Sequence, residues 1–250
     1  MLEITNKTIR YGQGIALDGV SLRIDDGERV AVVGPNGSGK TTLLKALAAS
    51  GNLPAHTPPA VAVVPQTISD ELPIAVRDFV MLGRTARLSA WHAPSPDDEA
   101  AVACALEAVD AAGFAGRRMD AVSGGERQRL MLAMALATEA PCLILDEPVA
   151  HLDFRRRDEL FALLGRLGKT ILMALHEIPF DTGFFTRVIL MASGRIVADG
   201  NPERVLTDAN LSAAYGIPAS VVPCRTARSI IPHPPSARQD ALRALRGVDT

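Results

Sequence analysis

The sequence predicts an α/β fold organised around a phosphate-binding loop, and three observations predict it. First, Gly34-Pro35-Asn36-Gly37-Ser38-Gly39-Lys40-Thr41 fits the pattern G-x-x-x-x-G-K-[ST]. Second, that stretch lies between an apolar, β-branched run, Arg29 to Val33, and a segment from Thr42 to Ala49 whose leucines and alanines have helical spacing. Third, apolar runs that end in charged or titratable residues return later, at Leu143 to Glu147 and at Lys169 to His176, each preceded by a helical pattern. Glycines let a backbone curl so that successive N–H groups point inward, an anion nest at the positive end of a helix. Lys40 would reach the β- and γ-phosphates of a nucleoside triphosphate, and the Thr41 hydroxyl would hold Mg²⁺. Gly34 to Thr42 is therefore the candidate nucleotide-binding segment.

Ahead of the loop, Leu2 to Arg10 and Val20 to Ile24 alternate well enough to be strands, with Tyr11-Gly12 in a loop between them. An aromatic ring there could stack on an adenine face or pack internally. Ser50 to Pro59 reads as a loop, and Ala60 to Val64 as a buried strand followed by Pro65-Gln66. After a turn at Asp70 to Pro73, Ile74 to Leu82 is helical, closed by Gly83, and Arg84 to Ala93 is irregular and carries the one tryptophan, Trp91. Ser95-Pro96-Asp97-Asp98 is a helix start, with a serine cap, proline at the first position and acids in the first turn, and that helix should run to about Ala112 and stop at Gly113. Ser123 opens another helix. Pro141 to Pro148 is an apolar strand ending in two acids, Asp153 to Leu167 an amphipathic helix, and Lys169 to Leu175 a strand. Val188 to Met191 and Arg195 to Ala198 form a hairpin. Pro202 to Leu206 and Leu211 to Tyr215 are short helices, and from Val221 the proline- and arginine-rich chain reads as an irregular tail.

Composition bounds the function. At 48% hydrophobic and 22% charged residues the chain can bury a sizeable core, as one domain with room for a smaller lobe. A net charge of -2 argues against a nucleic-acid footprint. No apolar run approaches the ~20 residues that cross a bilayer, and Met1 to Thr5 does not begin a signal peptide. Cys104, Cys142 and Cys224 show no CxxC spacing and read as reduced thiols of a cytoplasmic protein.

The chemistry gathers at the strand ends. Asp146 is positioned to hold Mg²⁺, and Glu147 beside it to polarise a water that attacks the γ-phosphate, the minimum kit for in-line hydrolysis. His176 ends another apolar strand, where an imidazole could contact the γ-phosphate or serve a structural role.

With these residues in this order, the chain from about Leu2 to Ile217 resembles the nucleotide-binding subunits of ABC transporters. The resemblance implies a P-loop NTPase core of ABC ATPase type, with a small antiparallel β lobe and an inserted helical subdomain at about 70–138, within a domain of residues 1–220 followed by a tail of residues 221–250. Tyr11 falls where the family has its adenine-stacking aromatic. Gln66 resembles the glutamine that contacts Mg²⁺ and the attacking water. Val122-Ser123-Gly124-Gly125-Glu126 resembles the LSGGQ signature, with Val for Leu and Glu for Gln. Asp146-Glu147 matches the metal-holding and catalytic acids, Asp153 the D-loop, and His176 the switch histidine. The family logic implies two subunits paired head-to-tail, each signature capping the γ-phosphate of ATP held by the other's loop, so Glu126 puts a carboxylate near that interface. Two departures stand out. The interval from Lys40 to Gln66 is short, which implies a missing hairpin in the antiparallel lobe, and Glu177 follows His176 where Asp is commoner.

The implied partners are a second copy, a multi-span membrane permease and, indirectly, an extracytoplasmic substrate-binding protein. The implied location is the cytoplasmic face of the membrane. Gln66 and the segment Ile74 to Arg84 would receive a cytoplasmic helix of the permease, with Phe79 on the contact face. A soluble ABC ATPase of translation or DNA repair is the alternative of another class; those tend to carry two such domains or a long coiled-coil insertion. The segment from Asp70 to Arg84 is similar to importers of zinc or manganese and to those of iron-siderophores, haem and cobalamin. Leu72-Pro73-Ile74 is closer to the zinc and manganese group, the first choice, and His151-Leu152-Asp153 to the iron-chelate group.

Overall fold

A computed structural model of the chain describes residues 1–51, 59–66, 68, 72–85, 93–150, 152–176, 183–223 and 228–232. In order, the elements are β1 (Leu2–Tyr11), β2 (Gly14–Ile24), β3 (Arg29–Val33), α1 (Lys40–Ser50), β4 (Val61–Val64), α2 (Val76–Met81), α3 (Pro96–Ala108), α4 (Gly124–Ala137), β5 (Cys142–Asp146), α5 (Phe154–Arg166), β6 (Thr170–Ala174), β7 (Arg187–Ala192), β8 (Arg195–Gly200), α6 (Pro202–Val205), α7 (Asp208–Tyr215), β9 (Ala219–Pro223) and β10 (Arg228–Pro232). Six strands form one sheet in the order β4-β5-β6-β3-β7-β8, parallel except for β8, which returns antiparallel beside β7. This is the expected α/β core.

The inner strands are buried on both faces, which is why they read as continuous apolar runs. Alternate residues of one strand serve different cores. Ala31, Val33, Leu143, Leu145, Ile171 and Met173 join the core shared with α2 to α5. Val30, Val32, Ile144, Leu172 and Ala174 join the opposite core with Leu43, Leu44 and Leu47 of α1 and the buried residues of β1 and β2. The hairpin β1–β2 is a separate antiparallel sheet, and residues 52–58, within the short Lys40–Gln66 interval, lie outside the described residues. The helices α2, α3 and α4 are inserted between β4 and β5, which are neighbours in the sheet.

Several expectations change. Tyr11 belongs to β1, paired with Gly14 across a two-residue turn at Gly12-Gln13, so cross-strand pairing extends further than alternation indicated. Helix α3 starts as expected, with a Ser95–Asp98 capping box, but ends at Ala108. Asp110 adopts φ 55° and the Ala111 N–H returns to Leu106 O at 2.8 Å, burying Val109 and Ala111 and ending the helix before Gly113. The segment from Val221 is not wholly irregular: Val221 pairs with Ile230 and Val222 with Ser229 in the hairpin β9–β10, where short β-branched runs meet. Phe79 is 3% exposed and packs with Val76 and Val80 in the core, so it cannot be a contact face; the exposed side of this segment is Arg77, Asp78 and Leu82. Asp70, Glu71, Trp91, His151, Glu177, Cys224 and most of the predicted 50–59 loop lie outside the described residues.

Arg84, read as part of an irregular stretch, is a buried junction of the helical insertion. Its Nε donates to Asp98 Oδ1 at 2.8 Å, and its Nη1 donates to Ala137 O at 2.8 Å and Glu139 Oε2 at 2.7 Å, tying the chain after α2 to the start of α3 and the end of α4. The Ser95 hydroxyl and then the Arg84 guanidinium pull the Asp98 pKa down from 3.8 to about 2. Because the folded pKa is depressed, the stability Asp98 contributes is complete above its unfolded pKa and is lost as pH falls through the folded one. Thermal midpoints measured between pH 5 and pH 2 should therefore fall more steeply in the wild type than in Asp98→Asn; parallel slopes would refute this role.

Candidate active site

The phosphate loop joins β3 to α1 and is wedged between two other elements. Gly34 and Gly39 have φ 149° and 101°. A Cβ on Gly34 would lie 2.2 Å from Met191 O, and one on Gly39 2.3 Å from Ala16 O, so only glycine fits at either end. The Gly194 N–H, in the β7–β8 turn, donates to Ser38 O at 3.0 Å and braces the loop from outside. Lys40, the first residue of α1, is 6% exposed, and its Nζ donates to Gly34 O at 2.8 Å and Pro35 O at 3.1 Å. Burial lowers its pKa below that of an ordinary lysine, with Glu147 and Asp146 acting in the opposite direction. The Ser38 hydroxyl is buried with no hydrogen-bond partner among the described residues. A cradle of glycines, a buried ammonium and an orphaned hydroxyl together fit a bound polyphosphate. Pro35, Asn36, Gly37 and Thr42 line the same turn and the start of α1.

Sheet order brings the other groups to this loop. Gln66 follows β4, Glu147 follows β5 and His176 follows β6, three adjacent parallel strands beside β3. Their side chains converge. Gln66 Nε2 donates to Glu147 Oε2 at 2.7 Å, and His176 Nε2 lies 2.7 Å from Glu147 Oε1. Glu147 has φ 52°, a left-handed conformation that costs a non-glycine residue about 1 kcal/mol or more, and its N–H is held by Ala174 O at 3.1 Å. Thr41 Oγ1 donates to Asp146 Oδ1 at 3.2 Å, so a hydroxyl and a carboxylate face each other across α1 and β5. Such hard oxygen donors suit Mg²⁺.

Tyr11 is 62% exposed, so its ring is not committed to internal packing. It pairs with Gly14, two residues before the Ala16 carbonyl that abuts Gly39, which sets it on the strand pair bordering the loop.

The structure does not bring every candidate together. Ser123, Gly124, Gly125 and Glu126 form the N-terminus of α4, and Asp153 caps α5 through a 2.8 Å hydrogen bond from Arg156 N–H. Among the described residues none of these five hydrogen-bonds to residues 34–42 of the same chain. Glu126 folds back in a capping box, accepting from Ser123 N–H at 2.7 Å and Arg117 Nη1 at 3.2 Å. Those contacts, the Ser123 N–H first, lower its pKa. The S-x-x-E spacing carried this signal in the sequence. Gln128 was not a candidate, yet its Nε2 donates to Pro148 O and links α4 to the turn after Glu147.

A phosphate loop beside a strand-end acid pair, with a glutamine and a histidine on the second acid, defines a P-loop ATPase. Residues 17–150 match the family model described as ABC transporter, and the chain belongs to that family, as one of its ATPases. It is 40% identical to a hemin import ATP-binding protein of Streptomyces coelicolor, over 90% of this chain and 87% of that protein. It is 35% identical to a manganese transport system ATP-binding protein of Listeria monocytogenes, over 86% of this chain and 96% of that one. A solved structure of a metal-chelate type ABC transporter in an inward-facing conformation shares the fold, with a TM-score of 0.79 at 24% identity over 94% of this chain and 98% of that one.

Proposed function

We propose that this chain is the ATP-hydrolysing motor of an importer that carries a transition metal, as the free ion or as a chelate. The observation that carries the motor assignment is the Glu147 carboxylate held by Gln66 and His176 beside the Lys40 loop. In this reading Lys40 turns from the loop carbonyls to the β- and γ-phosphates, and Tyr11 stacks on the adenine. Mg²⁺ would be held by Thr41, Asp146 and Gln66, and would neutralise charge on the phosphate oxygens. Glu147 orients and deprotonates the attacking water, and His176 and Gln66 hold that carboxylate in position.

The signature at Ser123 to Glu126 and the D-loop at Asp153 make no hydrogen bond to their own chain's loop, which supports a two-copy sandwich in which they meet the partner's nucleotide. We assign residues 1–220 to the ATPase domain and residues 221–250 to a C-terminal extension. The permease is received on Gln66 and the exposed residues Arg77, Asp78 and Leu82, at the cytoplasmic face of the membrane. Leu82 is 48% exposed, so Leu82→Asp should leave fold and isolated ATPase activity unchanged while cutting uptake by the assembled transporter at least tenfold. Equal uptake would remove this face from the contact.

For cargo, the hemin and manganese import relatives favour two readings: a metal chelate such as haem, and the manganese or zinc ion. Deleting the gene and measuring growth on hemin as sole iron source, and cell manganese and zinc under starvation, separates them. If all of these are unchanged while uptake of a sugar, amino acid or peptide fails, the metal reading is wrong.

A further inference from the structure

We infer that Arg117 is a positioning residue of the two-copy site: its guanidinium neutralises Glu126 and holds that carboxylate on its own helix, so that a signature containing a glutamate can face a polyphosphate. This role rests on the sandwich reading above and concerns the position at which the signature ends in Glu rather than Gln. The problem at this position is charge. Glu126 lies in the first turn of α4, in the segment that would meet the second copy's ATP. The bond from Ser123 N–H, and then the nearby Arg117, hold its pKa below the ordinary glutamate value, so the carboxylate is charged at neutral pH. A carboxylate there favours α4 by itself, but it offsets the positive helix end that a phosphate would use. Like charges facing each other across an interface oppose association.

Arg117 is placed to cancel that charge. Glu126 Oε2 accepts from Ser123 N–H and Oε1 from Arg117 Nη1, so both oxygens are engaged within the chain. The guanidinium is itself fixed: Nη2 donates to Ala121 O at 2.7 Å, and Cζ lies 5.0 Å from the centre of the Phe114 ring. The backbone is fixed as well. Arg117 N–H donates to Phe114 O, and Arg117 O accepts from Val76 N–H, both at 2.8 Å. The Glu126 side chain is 21% exposed, so water screens the pair only in part. These contacts set Arg117 apart from a solvated surface arginine, whose ion pair contributes little. The other guanidinium against this turn is Arg156, over Gly125, and it is paired with Asp153. A neutral amide in place of Glu126 would need no counter-charge, which makes the role of Arg117 conditional on the residue it serves.

The test uses the full chain carrying Glu147→Gln, whose ATP-driven association is followed by sedimentation. Arg117→Met is added alone, Glu126→Gln alone, and then the two together, a double-mutant cycle read in association rather than in stability. Arg117→Met keeps the aliphatic stem beside Phe114 and both backbone bonds; if it does not fold, Arg117→Gln takes its place. With Glu126 present, loss of the guanidinium should weaken association about tenfold or more. With Glu126→Gln also present, the same loss should change association by less than about twofold, since no charge is left to neutralise. Arg117→Lys keeps the charge and should recover most of the association. Own-chain ATP affinity, measured by calorimetry on protein dilute enough to stay monomeric, should stay within about twofold of the parent throughout. A merely structural role for Arg117 would lower association equally in both backgrounds, and that result overturns the inference. Unchanged association with Glu126 present overturns it too. If the Glu147→Gln parent does not associate with ATP, the sandwich reading fails and takes this role with it, a result distinct from failure of Arg117 alone.

Discussion

Glu147→Gln should bind ATP and fail to turn it over, with steady-state hydrolysis reduced about 10²–10⁴-fold. An amide cannot take a proton from water. It also disturbs the local network, because Gln66 Nε2 and His176 Nε2 both approach the carboxylate as donors, and one of them would then face an amide N–H₂. The Lys40 loop is untouched, so ATP affinity is retained. With hydrolysis blocked, ATP should hold two copies together, measured as a doubling of mass on sizing chromatography that reverses when ATP is replaced by ADP. Unimpaired turnover would remove Glu147 from its catalytic role. A monomer under saturating ATP would count against the sandwich.

Lys40→Ala should lose nucleotide binding. Hydrogen bonds to charged groups contribute about 1.5–3 kcal/mol each, so removing an ammonium that in the proposed site meets two phosphate groups predicts at least a 10²-fold loss of ATP affinity and turnover below detection. The fold should survive, because among the described residues Lys40 Nζ bonds only to carbonyls of its own loop. ATP should accordingly raise the thermal midpoint of the wild type and leave that of the variant unchanged. Wild-type affinity in the variant would refute the phosphate-loop assignment.

The part of the site that was legible in the sequence is the part whose logic is local. Glycine spacing between strand and helix identifies the loop from Gly34 to Thr41, because the anion nest is made by consecutive backbone groups. The caps at Ser95 and Ser123 are local too, each a side chain reaching an N–H three residues on. Apolar runs mark β3, β5 and β6 because strands covered on both faces admit few polar residues. Where local rules compete, boundaries moved: Asp110 ended α3 before Gly113, and cross-strand pairing drew Tyr11 into β1.

By itself, then, the sequence determined the α/β class, the phosphate loop and the acids at the end of β5. Only the tertiary structure decided that Gln66, Glu147 and His176 share one carboxylate. Their strands are adjacent in the sheet order β4-β5-β6-β3-β7-β8, which is not the order of the chain. It also decided that Phe79 is core and Leu82 exposed, since the two lie three residues apart and which side of the segment is covered depends on where α4 packs. The same holds for Arg84, whose partners Asp98 and Glu139 stand 14 and 55 residues away. It holds for Arg156 over Gly125, a contact between two helix starts that only the fold brings side by side. Spacing along a chain encodes hydrogen bonds within a turn or a loop, whereas contacts between elements depend on how the sheet and the inserted helices assemble in space.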